Sequence, residues 1–136
     1  MLAINVRAVF VAIQQAIPHL GADGRIITTG SIFADHVRRP DGAVNAMTKA
    51  AVAGLTRGLA RELGPRGITV NVIQPGPTAT DTNPKSGEFA DAICNLTAVG
   101  HYGHPADTAS AVAYLASAEA GFITGISWNV DGGFAA

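Results

Sequence analysis

Residues 43–77 read AVNAMTKAAVAGLTRGLARELGPRGITVNVIQPGP. From Ala43 to Leu63 the stretch is rich in alanine and leucine. Met47, Ala51, Leu55, Leu59 and Leu63 recur at every fourth residue, which predicts a long helix with one apolar stripe. Gly64 and Pro65 stop it, as these residues do just past a helix end. Ile68 to Ile73 (ITVNVI) is β-branched and apolar, and predicts a strand. Gln74 to Pro84 holds three prolines and one glycine and reads as a loop.

Working outward, Val6, Val9, Phe10, Ile13 and Ile17 follow three-four spacing and predict a helix over Asn5–Leu20. Gly21 and Gly24 break it, and Arg25 to Thr29 (RIITT) predicts a short strand. A loop with Pro40, Asp41 and Gly42 leads into the long helix. Beyond residue 84, Glu88–Leu96 reads as a weaker helix. A further helix is opened by Pro105, Ala106 and Asp107 and runs to Ala116. Thr124–Val130 reads as a third strand, ended by Asp131, Gly132 and Gly133. The order is α-β-α-β-α-α-β. Strands separated by helices predict a parallel sheet with right-handed crossovers, hence an α/β fold. The strands are almost continuously apolar or β-branched, as strands covered on both faces are. Three strands leave two open edges, so either another chain caps them or the sheet is part of a larger one.

The chain has 136 residues, the size of a single domain. At 48% hydrophobic and 14% charged it is too apolar for a disordered chain. A formal net charge of −1 gives no basic field for nucleic acid or an anionic membrane. Cys94 is the only cysteine, which excludes an internal disulfide framework and a thiolate metal cluster and suits a reducing, cytoplasmic setting. No run of about 20 apolar residues is present to span a bilayer. Met1–Leu20 reads as an amphipathic helix, not a signal peptide, because its apolar run Ala8–Ile13 is short and no small-residue cleavage site follows.

Four places can carry chemistry. Ser31 follows the first strand, and the carboxyl ends of parallel strands line the usual ligand crevice. Asn45 and Lys49 are one helical turn apart on one face. The loop Pro75-Gly76-Pro77-Thr78-Ala79-Thr80 leaves the second strand at the same end and offers backbone groups and hydroxyls. Asn5 lies near the start of the first helix. Taken singly, these are also a turn serine, a solvated lysine, a tight turn and a helix cap.

Taken in order and spacing, they resemble the second half of a short-chain dehydrogenase/reductase. The stretches that carry the resemblance are N5-V-R-A-V-F, G24-R-I-I-T-T-G-S31, the block from Thr48 to Pro77, Y102-G-H-P-A-D and F122-I-T-G-I-S-W-N-V-D-G-G. They cover nearly the whole chain and are most like 3-oxoacyl-carrier-protein reductase-like oxidoreductases. The resemblance implies a partial Rossmann-like, doubly wound sheet of about three strands that lacks the N-terminal half. Residues 1–136 would form the C-terminal portion of an NAD(P)-binding domain. It implies hydride transfer between NAD or NADP and a small carbonyl or alcohol substrate.

By the same resemblance, Ser31 orients the substrate oxygen, Lys49 holds the nicotinamide ribose, and Asn5 supports a proton-relay water. Pro75, Gly76, Thr78 and Thr80 pack against the nicotinamide or reach toward the phosphates. No metal ligand set is implied. The segment from Thr82 to Gly100 is expected to form much of the substrate pocket. Members of the family pair through the helices matching residues 5–20 and 43–63, which implies a homo-oligomer or pairing with a related chain.

Two departures stand out. The family's acid/base is a tyrosine four residues before the lysine, and here that position is Asn45. A carboxamide has no acidic proton near neutrality. Tyr102 and Tyr114 resemble ordinary positions elsewhere in the family, and His36, in the loop after Ser31, reads as a solvated loop histidine or, as the lesser alternative, one that reaches the site. The chain also lacks a glycine-rich turn after a strand to seat a pyrophosphate. It therefore reads as a truncated product or part of a split gene. Three readings stay open: an impaired oxidoreductase, a non-catalytic oligomerisation or interaction module, and a degenerate fragment.

Overall fold

The computed structural model describes residues 1–38, 40–81 and 83–136; Thr82, the first residue of the expected pocket segment, lies outside them. Strand β2 (Thr69–Pro75) lies between β1 (Arg25–Thr29) and β3 (Ser127–Val130). Both pairings are parallel, with Arg25 opposite Thr69, Thr29 opposite Ile73, Val72 opposite Ser127 and Pro75 opposite Val130. The α/β class and the three-stranded parallel sheet expected from the sequence are present. Among the described residues neither β1 nor β3 has a second neighbour.

The helices are α1 (Val9–Ala16), α2 (Ala43–Leu63), α3 (Glu88–Cys94) and α4 (Pro105–Ala116). The first predicted helix is wound in three ways: π over Ala3–Ala8, α over Val9–Ala16, and 3-10 over Ile17–His19. Pro18 has no N–H to return to a carbonyl one turn back, and the winding tightens there. Alternate residues of the strands face opposite layers. Ile26 and Val70 pack with Ile13, Leu59 and Leu63. Ile73 packs with Ala111, Leu115 and Ala120. Both faces of the sheet are covered, which is why its strands lack a polar period. No helix among the described residues is long and apolar enough to cross a membrane.

Three expectations need correction. The stripe at every fourth residue of α2 does not stay on the core: Met47 is 51% exposed, and the buried set is Thr48, Val52, Ala53, Thr56, Leu59, Ala60 and Leu63. A four-residue step overshoots one turn by about 40°, so a strict four-residue stripe winds around the helix. Phe10, on the apolar face of the first helix, is likewise exposed. Gln74 and Pro75 belong to β2, not to the loop. As the last residue of the strand, Pro75 interrupts no later ladder bond, and Gly76 N–H then donates to Val130 O at 3.0 Å. β3 begins at Ser127 instead of Thr124, because Gly125 turns left-handed at φ 77°. Side chains hold the preceding segment. The Asn71 amide donates to Ile123 O at 2.8 Å and its oxygen accepts from Ile126 N–H at 3.3 Å, while Val70 N–H donates to Thr124 Oγ1 at 3.0 Å.

Candidate active site

The site is built where β1 and β2 end. Gly30 N–H donates to Ile73 O at 2.7 Å, and a Cβ on Gly30 would stand 2.8 Å from Val72 Cγ2, so only glycine allows this approach. The chain then turns out of the sheet into the short 3-10 turn Ile32–Ala34. Ser31 caps it, its Oγ accepting from Phe33 N–H at 3.2 Å. That contact uses a lone pair and leaves the hydroxyl proton available to donate. Asp35 Oδ2 accepts from the Gln74 amide at 3.0 Å, so a fully buried residue of β2 ties down the loop that follows Ser31. Ser31 shares a cavity of about 600 Å³ with Pro75, Gly76, Pro77, Tyr102 and Phe134.

Asn5, Asn45 and Lys49 lie on the helices behind this loop. Asn5 does not cap its own helix. Its amide donates to Thr48 Oγ1 at 3.2 Å, and the Thr48 hydroxyl donates to the Asn45 carbonyl at 2.8 Å. Thr48 is completely buried, so Asn5 is linked to the Asn45 backbone through a dry hydroxyl. Lys49, half-buried, follows Asn45 by one turn, and α2 packs on the 3-10 turn after Ser31. Neither Asn5, Asn45 nor Lys49 is part of the wall of the cavity that holds Ser31.

The Pro-Gly loop is held by close backbone contact. A Cβ on Gly76 would fall 2.5 Å from Asp131 Cβ. Asp131 in turn accepts from Gly133 N–H at 3.0 Å and Ala135 N–H at 2.9 Å, which folds the Asp131-Gly132-Gly133 turn against the loop. The Thr78 hydroxyl donates to Gly76 O at 3.1 Å, inside the loop. Thr80 is exposed and exchanges main-chain hydrogen bonds with Asn83 at 3.2 and 3.0 Å. Pro75 and Gly76 thus meet Ser31 at the cavity, whereas Thr78 serves its own loop and Thr80 lies outward.

Two residues set aside in the sequence stand at the cavity. His36 is half-buried in its wall, not a solvated loop residue. Tyr102 is there because Gly103 exchanges hydrogen bonds with Pro77 and Ala79, each at 2.9 Å, a long-range pairing with no local signature. Its hydroxyl is buried and meets no partner among the described residues. Burial pushes the Tyr102 phenol up from its ordinary value, with Cys94 adding to the rise. A phenol raised in this way stays protonated near neutrality. Tyr114 lies elsewhere, edge-on to Trp128 at 5.9 Å between ring centroids.

A family model described as enoyl-(acyl carrier protein) reductase matches residues 1–135. The chain belongs to this family of short-chain dehydrogenases/reductases. A short-chain dehydrogenase/reductase from Serratia marcescens is 55% identical with a TM-score of 0.97, and the match covers 100% of this chain and 56% of that one. The blue fluorescent protein from a metagenomic library, solved in complex with NADPH, is 48% identical with a TM-score of 0.96 over 99% of this chain and 55% of that one. The cyclic-di-GMP-binding biofilm dispersal mediator protein of Escherichia coli (strain K12) is 43% identical over 133 residues, which are 98% of this chain and 56% of the relative. The chain spans about half the length of the curated relatives it matches.

Proposed function

We propose that residues 1–136 carry the nicotinamide and substrate side of a short-chain dehydrogenase/reductase site, for hydride transfer between NAD(P) and a small carbonyl or alcohol. The observation that supports this best is the meeting of Ser31 with Pro75 and Gly76 at one cavity beyond the ends of β1 and β2. Its volume of about 600 Å³ is in the range of small-molecule sites. A serine hydroxyl, main-chain groups and apolar side chains suit a nicotinamide ring and a carbonyl, and no carboxylate among the described residues lines the space.

NAD(P), when bound, supplies or accepts the hydride. Ser31 holds the substrate oxygen by donating its free proton. Lys49, one turn from Asn45, provides a cation on α2. The Asn5–Thr48 link fixes the backbone at Asn45, while the Asn45 carboxamide donates a hydrogen bond but no proton. Chemistry is therefore slow in this chain: losing a positioned acid/base lowers rates by about 10²–10⁴-fold. The setting is cytoplasmic, in keeping with the single half-buried thiol of Cys94.

Titration of the purified chain with NADPH, followed by cofactor fluorescence, tests the reading. Saturable binding is expected, and no binding at millimolar NADPH overturns it. Asn45→Tyr is expected to raise carbonyl reduction by about 10²-fold or more; an unchanged rate would show that the missing phenol is not what limits the chain.

A second reading, pairing with another copy or a related chain without catalysis, is favoured by one feature. Phe10, Val11, Val44 and Met47, on α1 and α2, are apolar and exposed. Water contact with these side chains would be removed by pairing through the two helices.

A further inference from the structure

The cavity beside Ser31 has a chemical bias that a bare carbonyl does not require. Phe33, Phe89, Ile93 and Leu96 give it an apolar wall, and Arg38 and His36 stand in the same wall. No aspartate or glutamate among the described residues accompanies them there. The Arg38 guanidinium lies 5.1 Å from the centroid of the Phe134 ring, and Phe134 is itself buried. A cation over an aromatic face is attracted to it, and a guanidinium carries its N–H donors in its own plane. Such a planar fork matches a carboxylate, which can accept two parallel hydrogen bonds from it. Phe89 is 65% exposed and Leu96 45%, so an apolar body in the cavity would take surface out of water as the anion is met.

We infer that the cavity selects a substrate with an apolar body and a carboxylate, the carboxylate paired with Arg38. This rests on the cavity being the substrate side of the site proposed above. Cofactor phosphates are a second source of negative charge, and the test separates them from substrate.

Calorimetry on the purified chain without cofactor compares phenylacetate with its neutral analogue phenylacetamide, and with inorganic phosphate. Phenylacetate is expected to bind at least about tenfold more tightly than the amide, a difference of about 1.4 kcal/mol. Arg38→Gln is expected to abolish that preference, and Arg38→Lys to retain part of it. Arg61→Gln, a charge loss away from the cavity wall, is expected to leave it unchanged. Equal affinity for the two probes, no binding of either, or a preference that survives Arg38→Gln overturns the inference. So does Arg38-dependent binding of phosphate without the phenylacetate preference, which would assign the arginine to the cofactor. The NADPH titration is independent of these arms. NADPH binding without carboxylate preference removes only the substrate class; carboxylate preference without NADPH binding removes only the redox reading.

Discussion

Tyr102 keeps its proton at higher pH in the folded chain than in the unfolded one, because burial raises its phenol above the ordinary value of 10.0. The stability this gives is fully present below the unfolded value. It declines as pH rises through the folded value, since the unfolded chain ionises first. Urea unfolding between about pH 9 and pH 11 should therefore show an alkaline loss of stability that is smaller in Tyr102→Phe. At neutral pH the same variant should match the parent or exceed it by about 1 kcal/mol, because a buried hydroxyl without a partner among the described residues is removed. A Tyr102→Phe chain with the parent's full alkaline loss would place that loss on other groups. The contrast between Tyr102 and Asn45 shows what was legible at this scale. That an asparagine, which has no acidic proton near neutrality, stands one turn before Lys49 could be read directly from the sequence. The presence of a phenol at the cavity could not, because it depends on Gly103 meeting Pro77 and Ala79 across the chain.

β2 is held to the segment before β3 by a buried amide as much as by its ladder. Asn71 is completely buried, with Ile123 O and Ile126 N–H as partners. Asn71→Leu keeps the branch at Cγ with a bulkier end and strands both backbone groups, and should lower the unfolding free energy by about 2–4 kcal/mol in urea melts. A loss under about 0.5 kcal/mol would mean that water or a shifted backbone replaces the amide. The strands and the long helix were legible because β-branched runs and Gly-Pro stops are local signals. Element ends were less so. Thr124-Gly125-Ile126 has strand-like composition, yet the left-handed turn at Gly125 and the hold of Asn71 keep it out of the ladder. In α2 the stripe was legible, but its drift was not, because Thr48 and Thr56 are buried through hydrogen bonds to Asn45 O and Val52 O that a hydrophobic pattern does not register.

At the scale of the molecule, the helix layer leaves apolar side chains uncovered. Phe10→Lys combined with Met47→Lys should shift sedimentation from a dimer to a monomer if α1 and α2 pair with another copy, while leaving helix content unchanged. A parent that already sediments as a monomer would reject the pairing. The doubly covered sheet was legible in the apolar strands. The cavity was legible in part: Ser31, the Pro-Gly loop and the segment before Gly100 were expected to line it, whereas Tyr102 and Phe134 were not, because they are brought there from segments far apart in sequence. That long reach has a consequence for biosynthesis. Gly76 is pressed against Asp131, and Phe134 closes the wall that Ser31 begins. The cleft can therefore close only after residue 134 has emerged from the ribosome, and until then the Pro-Gly loop lacks its contact with Asp131.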